Sequence, residues 1–249
     1  MSSHASRYGV ITDLHSNLAA VRAVLDALRR DEVGTVLCLG DIVGYGPSPC
    51  EVIDALGNLP LKCIRGNHDR YALGENSDQI RMATAEAVEY TRQCLRPSDR
   101  AFLEALEDSM LYENRILLVH GSLRDRDEYI LSQEAAVANY RALRTEFAGV
   151  YLCLFGHTHL PTAIGDGKVL YEVEPGHVLK LKPLTPYLVN PGSVGQPRDG
   201  NPDAAYGVVD LAERTLTFKR VAYDVEDTCR RVAEAGLQRH LGDRLRVGK

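Results

Sequence analysis

From Tyr8 to about Ile64, short apolar runs alternate with stretches whose apolar residues recur every three or four positions. Tyr8–Thr12, Thr35–Leu39 and Leu61–Ile64 read as strands. Leu18, Val21, Leu25 and Leu28 form a helical stripe that Ser16 or Asn17 can cap, and Glu51–Leu56 is a second helical stretch. That alternation is the pattern of successive βαβ units and a mostly parallel sheet. Helical periodicity returns in Ile80–Leu95 and in Ser98–Glu107, where Ser98 follows Pro97 as the expected cap. Ile116–Val119 reads as a strand, Gln133–Phe147 as a helix capped by Ser132, and Val150–Phe155 as a strand. The character changes after His159. Short β-prone runs at Thr162–Ile164, Val169–Glu172, Val178–Leu181, Tyr187–Asn190, Tyr206–Asp210 and Thr215–Val221 are broken by Gly165-Asp166-Gly167 and several prolines, which predicts hairpins and a second sheet. An amphipathic helix from about Val225 to Leu241, capped by Asp224, follows. No linker, repeat or low-complexity tract interrupts the pattern, so one domain spanning 1–249, with two packed sheets and helices outside, is expected.

Composition narrows the class. Hydrophobic residues make up 45% and charged residues 25%, which suits a chain with a packed core and argues against disorder. Lys and Arg total 29 against 34 Asp and Glu, a net charge of -5, so no general attraction to nucleic acid or to an anionic membrane is expected. The longest apolar stretch, around Val150–Phe155, falls far short of the roughly 20 residues of a membrane-spanning helix, and the N-terminus lacks a signal-like apolar segment. A cytoplasmic location is the expectation. The six cysteines have no CxxC spacing and read as reduced, buried thiols rather than disulfides or zinc ligands.

Chemistry concentrates where strands end. Asp13 and His15 follow the first strand, Asp41 the second, Asn67 and His68 the third, His120 the strand Ile116–Val119, and His157 with His159 the strand Val150–Phe155. Open α/β sheets bind ligands beyond the carboxyl ends of their strands, so five strand ends would aim these side chains into one crevice. Asp13 and His15 are two residues apart, as are His157 and His159, so on an extended strand end each pair would face one side. Carboxylate, imidazole and amide donors without thiolate suit manganese, iron, zinc or a related divalent ion. Seven candidate ligands exceed one tetrahedral ion and fit two ions sharing a bridging carboxylate. His4, His177 and His240 lie outside these motifs and read as surface residues.

The series DLH, GDIVG, GNHD, VHG and GHTH resembles the motif set of the calcineurin-like metallophosphoesterases, particularly their small bacterial and archaeal phosphodiesterase branch. The likeness runs from about Tyr8 to Asp210 and includes Asn190-Pro191-Gly192-Ser193-Val194-Gly195. It implies an α/β fold (α+β in some schemes): a four-layer αββα sandwich of two mixed β-sheets flanked by helices. It also implies a ligand set: Asp13, His15 and His159 for one metal, Asn67, His120 and His157 for a second, and Asp41 bridging. The implied cofactors are two divalent ions, manganese foremost, with iron, zinc, nickel or magnesium as alternatives. By the same resemblance His68 approaches the substrate or its leaving group, and Asp69 is placed to orient it. Arg198, Arg65 and Arg70 are candidates for holding a phosphate oxygen. The expected substrate is a small phosphate ester, a phosphodiester or nucleotide, attacked in line by a water that the two metals acidify. A serine/threonine protein phosphatase is the alternative, and a catalytically inactive scaffold a more distant one. The segments at about 70–108 and 162–187 carry no shared motif and are expected to shape the substrate pocket. Oligomeric state is left open.

Overall fold

The computed structural model describes residues 6–75, 80 and 82–249, so His4 lies outside the described residues, as do 76–79 and 81 within the 70–108 segment. In chain order the strands are β1 (Arg7–Ile11), β2 (Thr35–Cys38), β3 (Leu61–Cys63), β4 (Ser109–Tyr112), β5 (Ile116–Val119), β6 (Leu152–Leu154), β7 (Thr162–Gly165), β8 (Lys168–Tyr171), β9 (Val178–Lys180), β10 (Tyr187–Asn190), β11 (Ala204–Asp210) and β12 (Thr215–Val221). The helices are α1 (Leu18–Arg30), α2 (Pro49–Leu56), α3 (Asn67–Leu73), α4 (Met82–Cys94), α5 (Pro97–Glu104), α6 (Gln133–Thr145), α7 (Val225–Glu234) and α8 (His240–Asp243), followed by a 3-10 turn at Arg244–Val247.

The strands form two six-stranded mixed sheets, ordered β3-β2-β1-β11-β12-β9 and β4-β5-β6-β10-β7-β8. Parallel pairing runs through β1, β2 and β3 in the first sheet and through β5, β6 and β10 in the second. Val10, Leu37 and Leu39 of the first sheet pack against Ile116, Leu118, Leu154 and Val189 of the second. Their chain neighbours point the other way. Ile11, Val36 and Cys38 meet α1 and α2, whereas Leu117, Cys153 and Phe155 meet α6. This two-sided burial explains why the strands read as continuous apolar runs rather than as alternation. The expected layering of helices, two sheets and helices is the observed one.

Several boundaries differ from the sequence reading. The terminal helix breaks after Glu234: Gly236 takes φ 69°, and Leu237 N–H closes back on the Val232 carbonyl at 3.1 Å, a left-handed helix end. The chain then turns back and resumes as α8, a reversal that periodicity through Leu241 conceals. α5 begins at Pro97 with Arg96 as its cap residue, whose N–H donates to Asp99 at 2.9 Å, so Ser98 sits inside the first turn. β4 alternates exposed and half-buried residues at a sheet edge and carries no apolar run to announce it. α3 begins directly after β3, which places Asn67 and His68 in a helix's first turn.

Asn17 ties the layers together. Its Oδ1 caps α1 by accepting from Ala20 N at 3.2 Å and also from Thr228 Oγ1 of α7 at 2.9 Å, and its Nδ2 donates to the Gly195 carbonyl at 2.9 Å. Asn17→Ala leaves several buried groups without partners and is expected to cost about 2–4 kcal/mol. Asn17→Asp, which keeps the acceptor alone, should fall between. Urea unfolding monitored by circular dichroism checks both, and an unchanged midpoint for the alanine variant refutes the assignment.

Candidate metal centre

The chain leaves β1, β2, β5 and β6 at one end of the sandwich and enters α3 there after β3, bringing Asp13, His15, Asp41, His68, His120, His157 and His159 within reach of one another in threes, with Asn67 beside His120. Asp13, His15, Asp41, Asn67, His120, His157 and His159 are each at most 5% exposed, so their charges and lone pairs are met by one another rather than by bulk water. The sequence predicted this convergence, but not its cause. Asp13, His15, Asp41, His157 and His159 have φ of 52°, 46°, 52°, 66° and 61°, in the left-handed region. The paired residues therefore reach the centre through local backbone kinks beyond the strands, not through the alternation of an extended strand. Two glycines make room for this packing. A Cβ on Gly66 would stand 2.1 Å from Asp41 Oδ1, and one on Gly156 would stand 2.1 Å from Thr12 Oγ1.

Tautomers follow from the backbone. His15, His120 and His159 each direct Nδ1 at a carbonyl, of Val43 at 3.2 Å, Leu39 at 2.8 Å and Gln196 at 2.6 Å. The carbonyl can only accept, so each Nδ1 carries a proton; His15 and His159, held down by burial, present a bare Nε2 to the centre, whereas His120, raised by Asp41, keeps a second proton on Nε2 until a cation displaces it. His15 Nε2 and His159 Nε2 then stand 3.1 Å apart with no proton between them, and His120 Nε2 faces Asn67 Oδ1 at 3.0 Å. His157 places Nε2 on the Asp127 carbonyl at 3.1 Å, leaving Nδ1 for the cluster. Asp41 Oδ2 lies 3.6 Å from His15 Nε2 and 3.5 Å from His120 Nε2, midway between two groups of donors. Acceptors aimed at acceptors in a dry site are repulsive alone and attractive around a cation. The donor set fits a divalent metal.

Electrostatics agree. Burial alone would raise both carboxylates, yet the surrounding imidazoles hold Asp13 and Asp41 below the usual carboxylate range. Burial pushes His157 down to about 3 and His68 to about 4, in the latter case reinforced by Arg198. Burial also works against a charge on His120, but Asp41 outweighs it and raises this group to about 9. The cluster thus offers two anions and mostly neutral imidazoles, suited to positive charge supplied from outside.

Asp69 does not orient His68. Its Oδ1 accepts from Ile42 N at 2.9 Å and Val43 N at 3.1 Å, and its Oδ2 from Gly66 N at 2.8 Å. The carboxylate instead clamps the loop after Asp41 to the start of α3, because three backbone donors converge on it. His68 donates its backbone N–H to Asp41 Oδ1 at 2.8 Å, and its ring packs beside Tyr45 and His15 with Nδ1 buried and unpartnered. Among the described residues, the stretch from Asn190 forms a second brace. Asn190 Nδ2 donates to the Gly156 carbonyl at 2.7 Å, and Ser193 Oγ to the Asp13 carbonyl at 2.8 Å.

A cavity of about 600 Å³ opens over Asn67 and His68, walled by Tyr45, Tyr71, Tyr129, Arg198 and Arg244 and by Ile80, Thr84, His240 and Leu241. Tyr129 stacks on His157 with ring centroids 3.8 Å apart. Of the three arginines singled out from sequence, Arg198 alone faces this space. Arg65 pairs with Asp108 at 2.7 Å and Glu75 at 3.2 Å, and buried Arg70 is bound to Asp127, so carboxylates already occupy both guanidiniums. Residues 162–187 contribute none of these walls; their strands border a separate cavity at a sheet edge. Tyr45, next to the GDIVG motif, could have been found from its position. Arg244 had no sequence signal, and His240 is exposed, as expected, at the rim of the cavity. His177 is exposed as expected, and the described cysteines are all free thiols.

Residues 7–214 match the calcineurin-like phosphoesterase superfamily domain. The chain is 31% identical over 253 residues to the uncharacterised protein MJ0912 of Methanocaldococcus jannaschii, covering 98% of this chain and 99% of that one. It is 26% identical over 209 residues to phosphodiesterase YfcE of Escherichia coli, covering 80% of this chain and 84% of that one. The crystal structure of a metallophosphoesterase from Sphaerobacter thermophilus superposes with a TM-score of 0.85 at 35% identity, over 98% of this chain and 100% of that one.

The clamp role of Asp69 is testable. Asp69→Asn sets an amide N–H₂ against backbone donors and should cost about 2–4 kcal/mol of stability and weaken Mn²⁺ binding about 10- to 100-fold. Urea unfolding with chelator present and a Mn²⁺ titration measure the two effects; unaltered Mn²⁺ affinity contradicts the role.

Proposed function

The chain belongs to the calcineurin-like phosphoesterase superfamily, and from that membership we propose that it hydrolyses a small phosphate ester, a phosphodiester or nucleotide, at a centre of two divalent cations. Asp13, His15 and His159 would hold one cation, Asn67, His120 and His157 the other, and Asp41 both. The observation that carries this reading is the opposition of bare donors: His15 Nε2 to His159 Nε2 at 3.1 Å, with Asp41 Oδ2 between the two groups. Oxygen and imidazole donors suit Mn²⁺, and also iron, zinc, nickel or magnesium. When bound, such cations supply Lewis acidity toward phosphoryl oxygens and acidify a water.

The chain's own groups do the rest. Asp41 fixes the spacing of the two donor groups and receives the His68 N–H, so the position of His68 is tied to the cluster. His68 is the candidate acid for the leaving oxygen. Burial holds it neutral near pH 7, and an approaching phosphate's negative charge favours its protonated form. Arg198 stands where it can bind a non-bridging phosphate oxygen. The second reading, a serine/threonine protein phosphatase, would use the same cluster beneath a shallow open cleft; the tyrosines and arginines that line this half-open cavity favour the smaller ester. The inactive-scaffold reading finds no support, since every residue the chemistry needs is present and gathered.

Metal analysis of protein saturated with Mn²⁺ should give two ions per chain; one or none overturns the reading. Asp41→Asn should abolish turnover of bis(p-nitrophenyl) phosphate and weaken both ions, with circular dichroism unchanged, and near-normal turnover would sink the bridging assignment. His68→Ala should keep both ions while slowing an alkyl phosphate ester about 10²- to 10⁴-fold and a p-nitrophenyl ester much less, because phenolate leaves unaided. Equal losses would make His68 a binding group, and lost metal would make it a ligand.

A further inference from the structure

Arg198 and Arg244 approach the cavity from separate parts of the chain, the loop after Gly195 and the 3-10 turn that follows α8. Arg198 donates Nε and Nη2 to Gln196 Oε1 at 3.3 and 2.8 Å, and Arg244 donates Nε to a main-chain oxygen of Lys249, its Nη groups having no hydrogen-bond partner among the described residues. Among the described residues neither has an Asp or Glu side chain within ion-pair distance, in contrast to Arg65, Arg70 and Arg246. Burial and the charge of Arg198 both work against a charge on Arg244. Two guanidiniums converging on one partly buried cavity repel one another unless an anion lies between them, and planar N–H forks are matched by phosphate oxygens. Their order matters. Arg198 lies near enough to lower His68 and His159 of the cluster, whereas the titratable groups that act on Arg244 are Arg198 and Tyr45, one step farther out.

We propose that Arg198 and Arg244 form a subsite for a second phosphoryl group, next to the one over the His/Asp cluster, and that the substrate is a nucleoside di- or triphosphate or an ester of one. This rests on the cluster being the catalytic centre. Tyr45, Tyr71 and Tyr129 supply flat apolar faces on which a base can stack, and a cavity of about 600 Å³ has the volume for such a ligand. The subsite adds no covalent step. It selects which phosphorylated compounds dock, through Arg244, a residue outside the 7–214 family match.

Calorimetric titration of the Mn²⁺-loaded protein with AMP, with methylene-bridged ADP and ATP analogues that resist hydrolysis, and with imidotriphosphate tests this by binding rather than turnover. The wild type should bind the ATP analogue at least tenfold tighter than AMP. Arg244→Gln and Arg198→Gln should each erase most of that difference, and Arg244→Lys should restore part of it. Equal affinities for AMP and the ATP analogue in wild type, or a preference that survives both glutamine variants, would overturn the subsite. Imidotriphosphate binding as tightly as the ATP analogue would overturn the nucleoside assignment. Mn²⁺ stoichiometry and bis(p-nitrophenyl) phosphate turnover of the wild type, measured in parallel, report separately on the catalytic reading.

Discussion

The arrangement turns on keeping two carboxylates and four imidazoles dry at one end of a sandwich. Asp13 and Asp41 are fully shielded from solvent, and burying them is costly unless positive charge or hydrogen bonds compensate. Part of the compensation is built into the chain. Asp13 accepts from Thr12 Oγ1 and the His157 N–H, and Asp41 from the His68 N–H. The rest comes from the neighbouring imidazoles, and in the proposed reading a cation would complete it. The three carbonyls that take the Nδ1 protons matter as much as the ligand atoms, because they decide which nitrogen of each ring faces inward.

Rigid sheets alone would not deliver this geometry. Five of the seven donors, Asp13, His15, Asp41, His157 and His159, lie beyond the strands on backbone in left-handed conformations that are unfavourable for non-glycine residues. Surrounding contacts hold these conformations. Asp69 gathers three N–H groups, and the Asn190–Gln196 stretch, leaving the second sheet, braces Gly156 and His159 after β6 of that sheet and Asp13 after β1 of the first. Arg70 adds a tie from α3 to Asp127, whose carbonyl holds His157. Strain at the centre is thus offset by polar contacts just outside it, so substitutions there should affect metal binding without touching a ligand.

The cavity over the centre is assembled from distant segments. Tyr45 follows β2, Tyr71 belongs to α3, Tyr129 follows β5, and His240 and Arg244 arrive only because the chain reverses at Gly236. The centre depends on short motifs at strand ends, whereas the walls depend on where long connections pass. Changes in the connections can therefore alter which ester is accepted while the cluster stays intact.

Much was legible in the chain itself. Apolar runs and helical stripes marked most elements, because strands covered on both faces and one-sided helices leave different periodicities. The His, Asp and Asn residues at strand ends marked the site, because ligand types must sit in local sequence whatever the fold around them. Short edge strand β4, the start of α3 and the break at Gly236 escaped, since propensity there is weak and tertiary contacts set the boundaries. Asp69, Arg65 and Arg70 were misjudged for the same reason: a charged side chain's task depends on its nearest partner, and adjacency in sequence did not reveal that Asp69 would meet three backbone donors or that Arg65 and Arg70 would meet carboxylates. The sequence by itself determined the layers and the chemical inventory of the centre. Tertiary structure decided the direction of each ring nitrogen, the partner of each charge and the walls of the cavity, because these depend on contacts between residues far apart in the chain.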